Sequence, residues 1–218
     1  EDKEEVEGAD ESETELLIYD TCLDILVALS LTLGSAFNRI FASFKSVVYK
    51  NLTSASNQKR SVIVGALAEI CVGLKGENEF ANELLSDFVE LMNKDSFLNV
   101  RGYAAFGIGV IIFYSAEDLS AAYPDILSSL SKLLTKADKE AKAEDDDETQ
   151  DIIDRSYANA CGCVARMALK NPNAVPLDQI VPVLLGHVPL VNGFEENTPI
   201  FNLLIHLFDC NKFSFHLH

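Results

Sequence analysis

Paired cysteines, metal-binding histidine spacings, alternating strand patterns and any surplus of base are all missing from this chain of 218 residues. The five cysteines (Cys22, Cys71, Cys161, Cys163 and Cys210) are odd in number, sit in apolar runs and contain no C-x-x-C pair. That argues against a disulfide framework or a zinc site and for a reducing compartment. His187, His206, His216 and His218 show neither H-x-x-x-H nor H-E-x-x-H spacing, so no metal site and no cofactor are expected. No apolar run is read as reaching the roughly 18–20 residues that cross a bilayer. The first residues are acidic where a signal peptide would be basic and then apolar. A soluble, intracellular protein is therefore expected, and the opening in mid-acidic tract without methionine reads as an excerpt of a longer chain.

Acid is abundant. Thirty-four acids stand against 17 bases, a net charge of -17, which disfavours nucleic acid and anionic membranes as partners and favours basic ones. The excess is local. Residues 1–15 hold nine acids and one lysine, and residues 137–149 hold seven acids and two lysines, leaving a nearly balanced body of 18 acids and 14 bases.

Apolar residues recur at three-to-four spacing almost throughout, which makes this an all-α sequence. In residues 57–75, Ile63, Leu67, Ile70 and Leu74 form one stripe, with Arg60 and Glu69 on the opposite side. Helices are predicted near 14–33, 35–52, 57–75, 78–93, 97–115, 119–136, 149–170, 177–188 and 197–211, separated by glycine, serine, asparagine and proline punctuation. Three of them open alike, with Arg60 in RSVIVGA, Arg101 in RGYAAFG and Arg155 in RSYANACG. Arg60 and Arg101 are 41 residues apart and Arg101 and Arg155 are 54; discounting the 13 residues of 137–149 restores 41. A two-helix period of about forty residues marks HEAT or armadillo stacks, in which neighbours cover each other's apolar faces along a curved rod. The expected fold is a HEAT-repeat α-solenoid, a right-handed superhelix of antiparallel helix pairs. Residues 1–13 are expected to be a disordered acidic segment, 14–211 about four and a half repeats and 212–218 an unstructured tail.

Catalytic chemistry finds little footing. Cys161 and Cys163 lie i, i+2 on a helix, about 200° apart, so the thiols cannot share a ligand and read as small buried hydrophobes. Gly107 and Gly109 form a G-x-G with no preceding strand and no third glycine, which points to close helix packing, not a nucleotide loop. No enzyme activity is expected.

Two sets of residues suit a basic partner. Glu144, Asp145, Asp146, Asp147 and Glu148 lie in an insert between two helices, read either as a solvated loop or as a flexible acidic field for lysine- and arginine-rich segments. The second set falls on second helices, which line the concave side of such a stack: Asn99 and Tyr103 on one, Asp154, Tyr157 and Asn159 on the next. Glu195, Glu196, Asn197 and Asn202 belong to the last. Their oxygens can receive an ammonium, with a tyrosine ring beside its apolar stem. Alternatively, Asp154 and Glu195 merely cap helices.

The string from Asp154 to Met167 (DRSYANACGCVARM) and that from Gly193 to Phe208 (GFEENTPIFNLLIHLF) resemble the C-terminal HEAT repeats of the importin beta family, in its fungal importin beta-4 class. The resemblance covers residues 14 to about 211. It implies a nuclear import receptor, shuttling between cytoplasm and nucleus, that carries basic cargo such as ribosomal proteins and histones and releases it to the GTP-bound Ran GTPase. It also implies that Phe-Gly nucleoporins are held on the convex side, and that Asp154, Tyr157, Asn159, Glu195, Glu196 and Asn197 help hold basic signals. The repeats that grip Ran in this family are absent here, and residues 212–218 depart from its pattern. The alternative is a HEAT scaffold subunit of a stable complex.

Overall fold

A computed structural model describes residues 2–143 and 146–209, with side chains from residue 14 onward. The described residues form α1 (Asp2–Leu33), α2 (Phe37–Lys50), α3 (Asn57–Leu74), α4 (Ala81–Lys94), α5 (Leu98–Tyr114), α6 (Tyr123–Ala143), α7 (Asp147–Lys170), α8 (Leu177–Gly186) and α9 (Asn197–Asp209), and no strand. The all-α HEAT solenoid is thus the architecture found. The tail at 212–218 lies outside the described residues, and residues 2–13 of the acidic segment are the beginning of α1's backbone.

Local chemistry sets the boundaries. The Ser56 side chain caps α3 by accepting from the Lys59 amide at 3.2 Å. Between α1 and α2 the chain turns at Gly34, whose φ of +55° suits a residue without a Cβ. In α3 the predicted stripe of Ile63, Leu67, Ile70 and Leu74 is buried, each side chain contributing about 1.5–3 kcal/mol of apolar burial.

Helices α4/α5 and α6/α7 pack closely as pairs, whereas α2 meets α3, and α8 meets α7, only sparsely. The second members α1, α3, α5, α7 and α9 stack directly side by side, whereas first members meet sparsely, as α4 does α6. Closer packing of the second helices puts them on the inside of the curve. Small residues allow that approach: a Cβ on Gly73 would overlap Ser30, one on Gly102 would lie 2.8 Å from the Ser156 Oγ, and one on Gly109 would lie 2.7 Å from the Cys163 Cα. Gly107 likewise faces the Phe88 ring. Across repeats, Arg60 at the start of α3 grips Asp95 before α5 through Nε at 2.8 Å and a terminal nitrogen at 2.9 Å, both side chains nearly buried.

Two expectations are corrected. The acidic insert is not a long loop: Ala137–Ala143 extends α6, where Ala137 is fully buried, and Asp147 already begins α7. The alanines, lysines and glutamate of 137–143 are good helix formers, its two acids are balanced by two lysines, and Lys136 pairs with Glu140 one turn on. Secondly, Thr14–Lys50 includes a helix long and apolar enough by length and composition to cross a bilayer. It is nevertheless the end helix of the stack, with Leu23, Val27 and Ser30 buried and Ile18, Ile25 and Leu29 open on other faces.

Candidate interaction surface

The inner wall is made by α1, α3, α5, α7 and the turn at Phe194–Glu196 that leads into α9. Within residues 61–71 of α3 only Glu69 is exposed. Burial raises its carboxyl above the ordinary 4.5, and the charges of Asp24 on α1 and Glu195 raise it further, against the pull of Arg155. Asp24, Glu69 and Glu195 therefore share one field across the wall. Asp20, one turn before Asp24, is raised by desolvation and by Asp24.

The bases of the wall are anchored on aromatic rings. Arg155 donates to the Tyr103 hydroxyl at 2.6 Å, with its guanidinium 5.9 Å from that ring. Arg166 lies 5.2 Å from the Phe106 ring and Lys59 5.2 Å from the Tyr19 ring. Lys59 is paired with Glu15 at 2.9 Å and Arg166 with Glu196 at 2.5 and 2.8 Å. Among the described residues Asp20, Asp24, Glu69 and Glu195 form no ion pair within 4 Å, and Arg155, whose charge acts on Glu69, forms none either, so four acids face this one base and the field is net acidic.

The residues singled out in the sequence scatter over this frame. Asn99 lines a cavity of about 310 Å³ with Glu148, Asp151 and Arg155. Glu195 and Asn202 are exposed and border a smaller one of about 160 Å³, and Asn197 is half-buried. Asp154 accepts from Gln150 Nε2 at 2.9 Å in mid-helix, so it is no helix cap. Tyr157 turns to the outer layer, where its hydroxyl donates to Asp138 of α6 at 2.5 Å and its ring stacks on His187, 4.4 Å away, just after α8.

Two of them are corrected. Glu196 is fully buried and holds Arg166 bidentately, so its oxygens are spent inside the protein. Burial pushes its carboxyl upward while Arg166 pulls it back. Asn159 is also buried, at 2% exposure, since α7 is enclosed by α5, α6 and α9. In the insert, Asp146 caps α7 by accepting from the Thr149 amide at 2.9 Å, and Asp147 and Glu148 are exposed in the first turn. Glu144 and Asp145 lie outside the described residues. Sequence reasoning placed Glu69 only as the polar side of a helix; the signal for more was a lone acid in an otherwise apolar run.

On the outer side, α6, α8 and the floor of α7 enclose an apolar groove of about 370 Å³, lined by Leu130, Leu134, Ile180, Val183 and Leu184 over Cys161. Burial pushes the thiols of Cys71, Cys161 and Cys163 up to about 12, which keeps them neutral and unreactive. Among the described residues no group of three or more His, Cys, Asp or Glu could hold a metal ion.

No family model matches the chain. Over 203 residues, 93% of its length, it is 29% identical to the probable importin subunit beta-4 of Schizosaccharomyces pombe. The chain is a homologue of that protein, which supports the importin beta family. Importin-4 of Homo sapiens is 28% identical over 177 residues, 80% of the chain, and that of Mus musculus 27% over 191 residues, 85% of the chain. The chain spans only 18%, 15% and 16% of these three importins.

Proposed function

We propose that the chain is a segment of a nuclear import receptor whose acidic inner wall holds lysine- and arginine-rich segments of protein cargo. The observation that carries this reading is the shared field of Asp24, Glu69 and Glu195, drawn from three separate elements of an importin homologue, in which three acids face the single base Arg155. An ammonium brought between these carboxylates relieves their mutual repulsion, and rings such as Tyr103 offer apolar surface to a lysine stem. Asn99, Tyr103, Asp154, Tyr157, Asn197 and Asn202 surround the field as secondary polar contacts, while the exposed Asp147 and Glu148 steer basic chains toward it. Ribosomal proteins and histones are the cargo class. The longer receptor would release them to GTP-bound Ran while shuttling between cytoplasm and nucleus. The apolar groove between α6 and α8 is sized for a phenylalanine side chain of a Phe-Gly nucleoporin.

The test is fluorescence anisotropy of a labelled lysine-rich histone-tail peptide titrated with the chain and with the double variant Glu69→Lys, Glu195→Lys. The proposal expects affinity to fall more than tenfold at unchanged helicity. Equal affinity would remove the wall from cargo binding. A folded partner retained at high salt by both proteins would favour the scaffold reading.

A further inference from the structure

Both ends of the stack are apolar. At the first, α2 returns along α1, with the amide of Asn51 at its end donating to the Tyr19 hydroxyl at 3.2 Å. α1 turns Leu23, Val27 and Ser30 inward, where Ser30 meets Gly73 of α3, and carries Ile18, Ile25 and Leu29 at i, i+7 and i+11 as a stripe on its other side. On α2, Lys45 reaches Glu83 of α4, and Val47, about 200° further round the helix, faces away from that repeat with Phe44 beside it. At the far end, α9 buries Ile200, Leu203 and Leu207 and leaves Phe201, Ile205 and Phe208 open at i, i+4 and i+7. The open side chains of the two ends are between 36 and 66% exposed, which makes each end a contiguous apolar face.

The two faces suit each other. Second helices inside the stack run parallel: Glu15 and Ser30 of α1 meet Lys59 and Gly73 of α3 in the same order, as Gly102 and Gly109 of α5 meet Ser156 and Cys163 of α7. A further helix laid along α1 in the same direction repeats an arrangement the chain already uses. Residues 18–33 span ~24 Å at ~1.5 Å per residue, and two helices ~10 Å apart make a face of roughly 500 Å². Pairing two such faces covers about 1,000 Å², the lower bound for a specific, weak association.

Charge decides which faces pair. Residues 1–33 hold eleven acids and one lysine, whereas residues 197–218 hold one of each. Pairing α1 with α1 would bring two strongly acidic helices together, and pairing α9 with α9 would leave the larger face open. We infer that the chain associates with itself head to tail, α9 of one copy packing on the α1–α2 face of the next. Such a contact is heterologous and does not close, so assembly proceeds without a fixed size. The net charge of -17 on each copy opposes it, and salt screens that repulsion. Self-association therefore strengthens with salt, opposite to the capture of a basic peptide.

Sedimentation velocity of the 218-residue chain from about 5 to 200 µM, in about 50 and 500 mM salt, tests the inference. The average mass should climb past that of a dimer with concentration, and further at high salt. Ile18→Glu with Ile25→Glu blocks one end, and Ile205→Glu with Phe208→Glu the other; each variant alone should be monomeric with wild-type helicity, and an equimolar mixture should form a one-to-one dimer through the two intact ends. A wild-type chain that stays monomeric, a variant that dimerises alone, or a mixture that stays monomeric overturns the inference. Flotation of a monomeric wild-type chain with phosphatidylcholine vesicles would overturn it in favour of a lipid surface on α1. None of these results bears on the acidic inner wall.

Discussion

The carboxylate of Glu196 occupies the space that a side chain on Gly162 would fill, so this glycine is what allows Glu196 to reach Arg166 from the neighbouring repeat. An alanine in mid-helix ordinarily stabilises by up to about 1 kcal/mol over glycine. Here the sign should reverse. Gly162→Ala would expel the carboxylate and leave Arg166 without its partner, at a cost of about 3 kcal/mol. Urea denaturation followed by circular dichroism reads this directly, and a midpoint equal to or above that of the wild type would contradict it.

A second pair ties α3 to the turn before α5. Burial works to raise Asp95, but its hydrogen bonds with Arg60 and the Phe97 amide, with the charges of Arg60 and Arg101, outweigh that and hold the carboxyl below the ordinary 3.8. In the acid range the unfolded chain takes up this proton first, so stability rises with pH there. The contribution is complete above about pH 4 and disappears as pH falls through the depressed value. Asp95→Asn should cost about 3 kcal/mol at pH 7 and little in strong acid, so the stability gap between the two proteins should close as pH drops. A constant gap from pH 7 to pH 2 would contradict this.

Glu69 has the opposite shift, raised by burial and then by Asp24 and Glu195. A carboxylate needed for binding is lost by protonation, so affinity for a lysine-rich peptide should begin to fall on acidification at a pH above 4.5, earlier than an ordinary glutamate would allow. Glu69→Gln should weaken binding at neutral pH and remove that early fall. A pH profile identical for the two proteins would take Glu69 out of the site.

These pairs also show what the sequence made legible. Helix positions followed from apolar spacing, and α3, α5 and α7 begin within two residues of expectation because serine, asparagine and aspartate mark their starts. The repeat was visible through Arg60, Arg101 and Arg155, yet the structure gives the three different work: Arg60 pairs with Asp95, Arg101 bonds backbone carbonyls of Asn93 and Asp95, and Arg155 takes Tyr103. Composition misled in the insert, where an acid-rich string hides the helix-forming 137–143. Glu196 was misplaced because its partner is 30 residues away in sequence, a distance at which spacing carries no signal.

Asp147 and Glu148 are exposed in the first turn of α7, and Glu148 lines the cavity shared with Asn99 and Arg155. The double variant Asp147→Asn, Glu148→Gln should slow association of a basic peptide several-fold at low salt, with a smaller effect on dissociation, because long-range steering acts on encounter. Stopped-flow fluorescence separates the two rates. An unchanged association rate would reduce these acids to a solvated helix end.

The central claim is that exposed carboxylates on the inner wall, not apolar surface, hold the partner. Affinity for a lysine-rich peptide measured from about 50 to 300 mM salt tests it most directly, since exposed charges are screened over this range. The account predicts a steep fall, shallower in Glu69→Lys, Glu195→Lys. An affinity that stays flat across the series, in either protein, would contradict it.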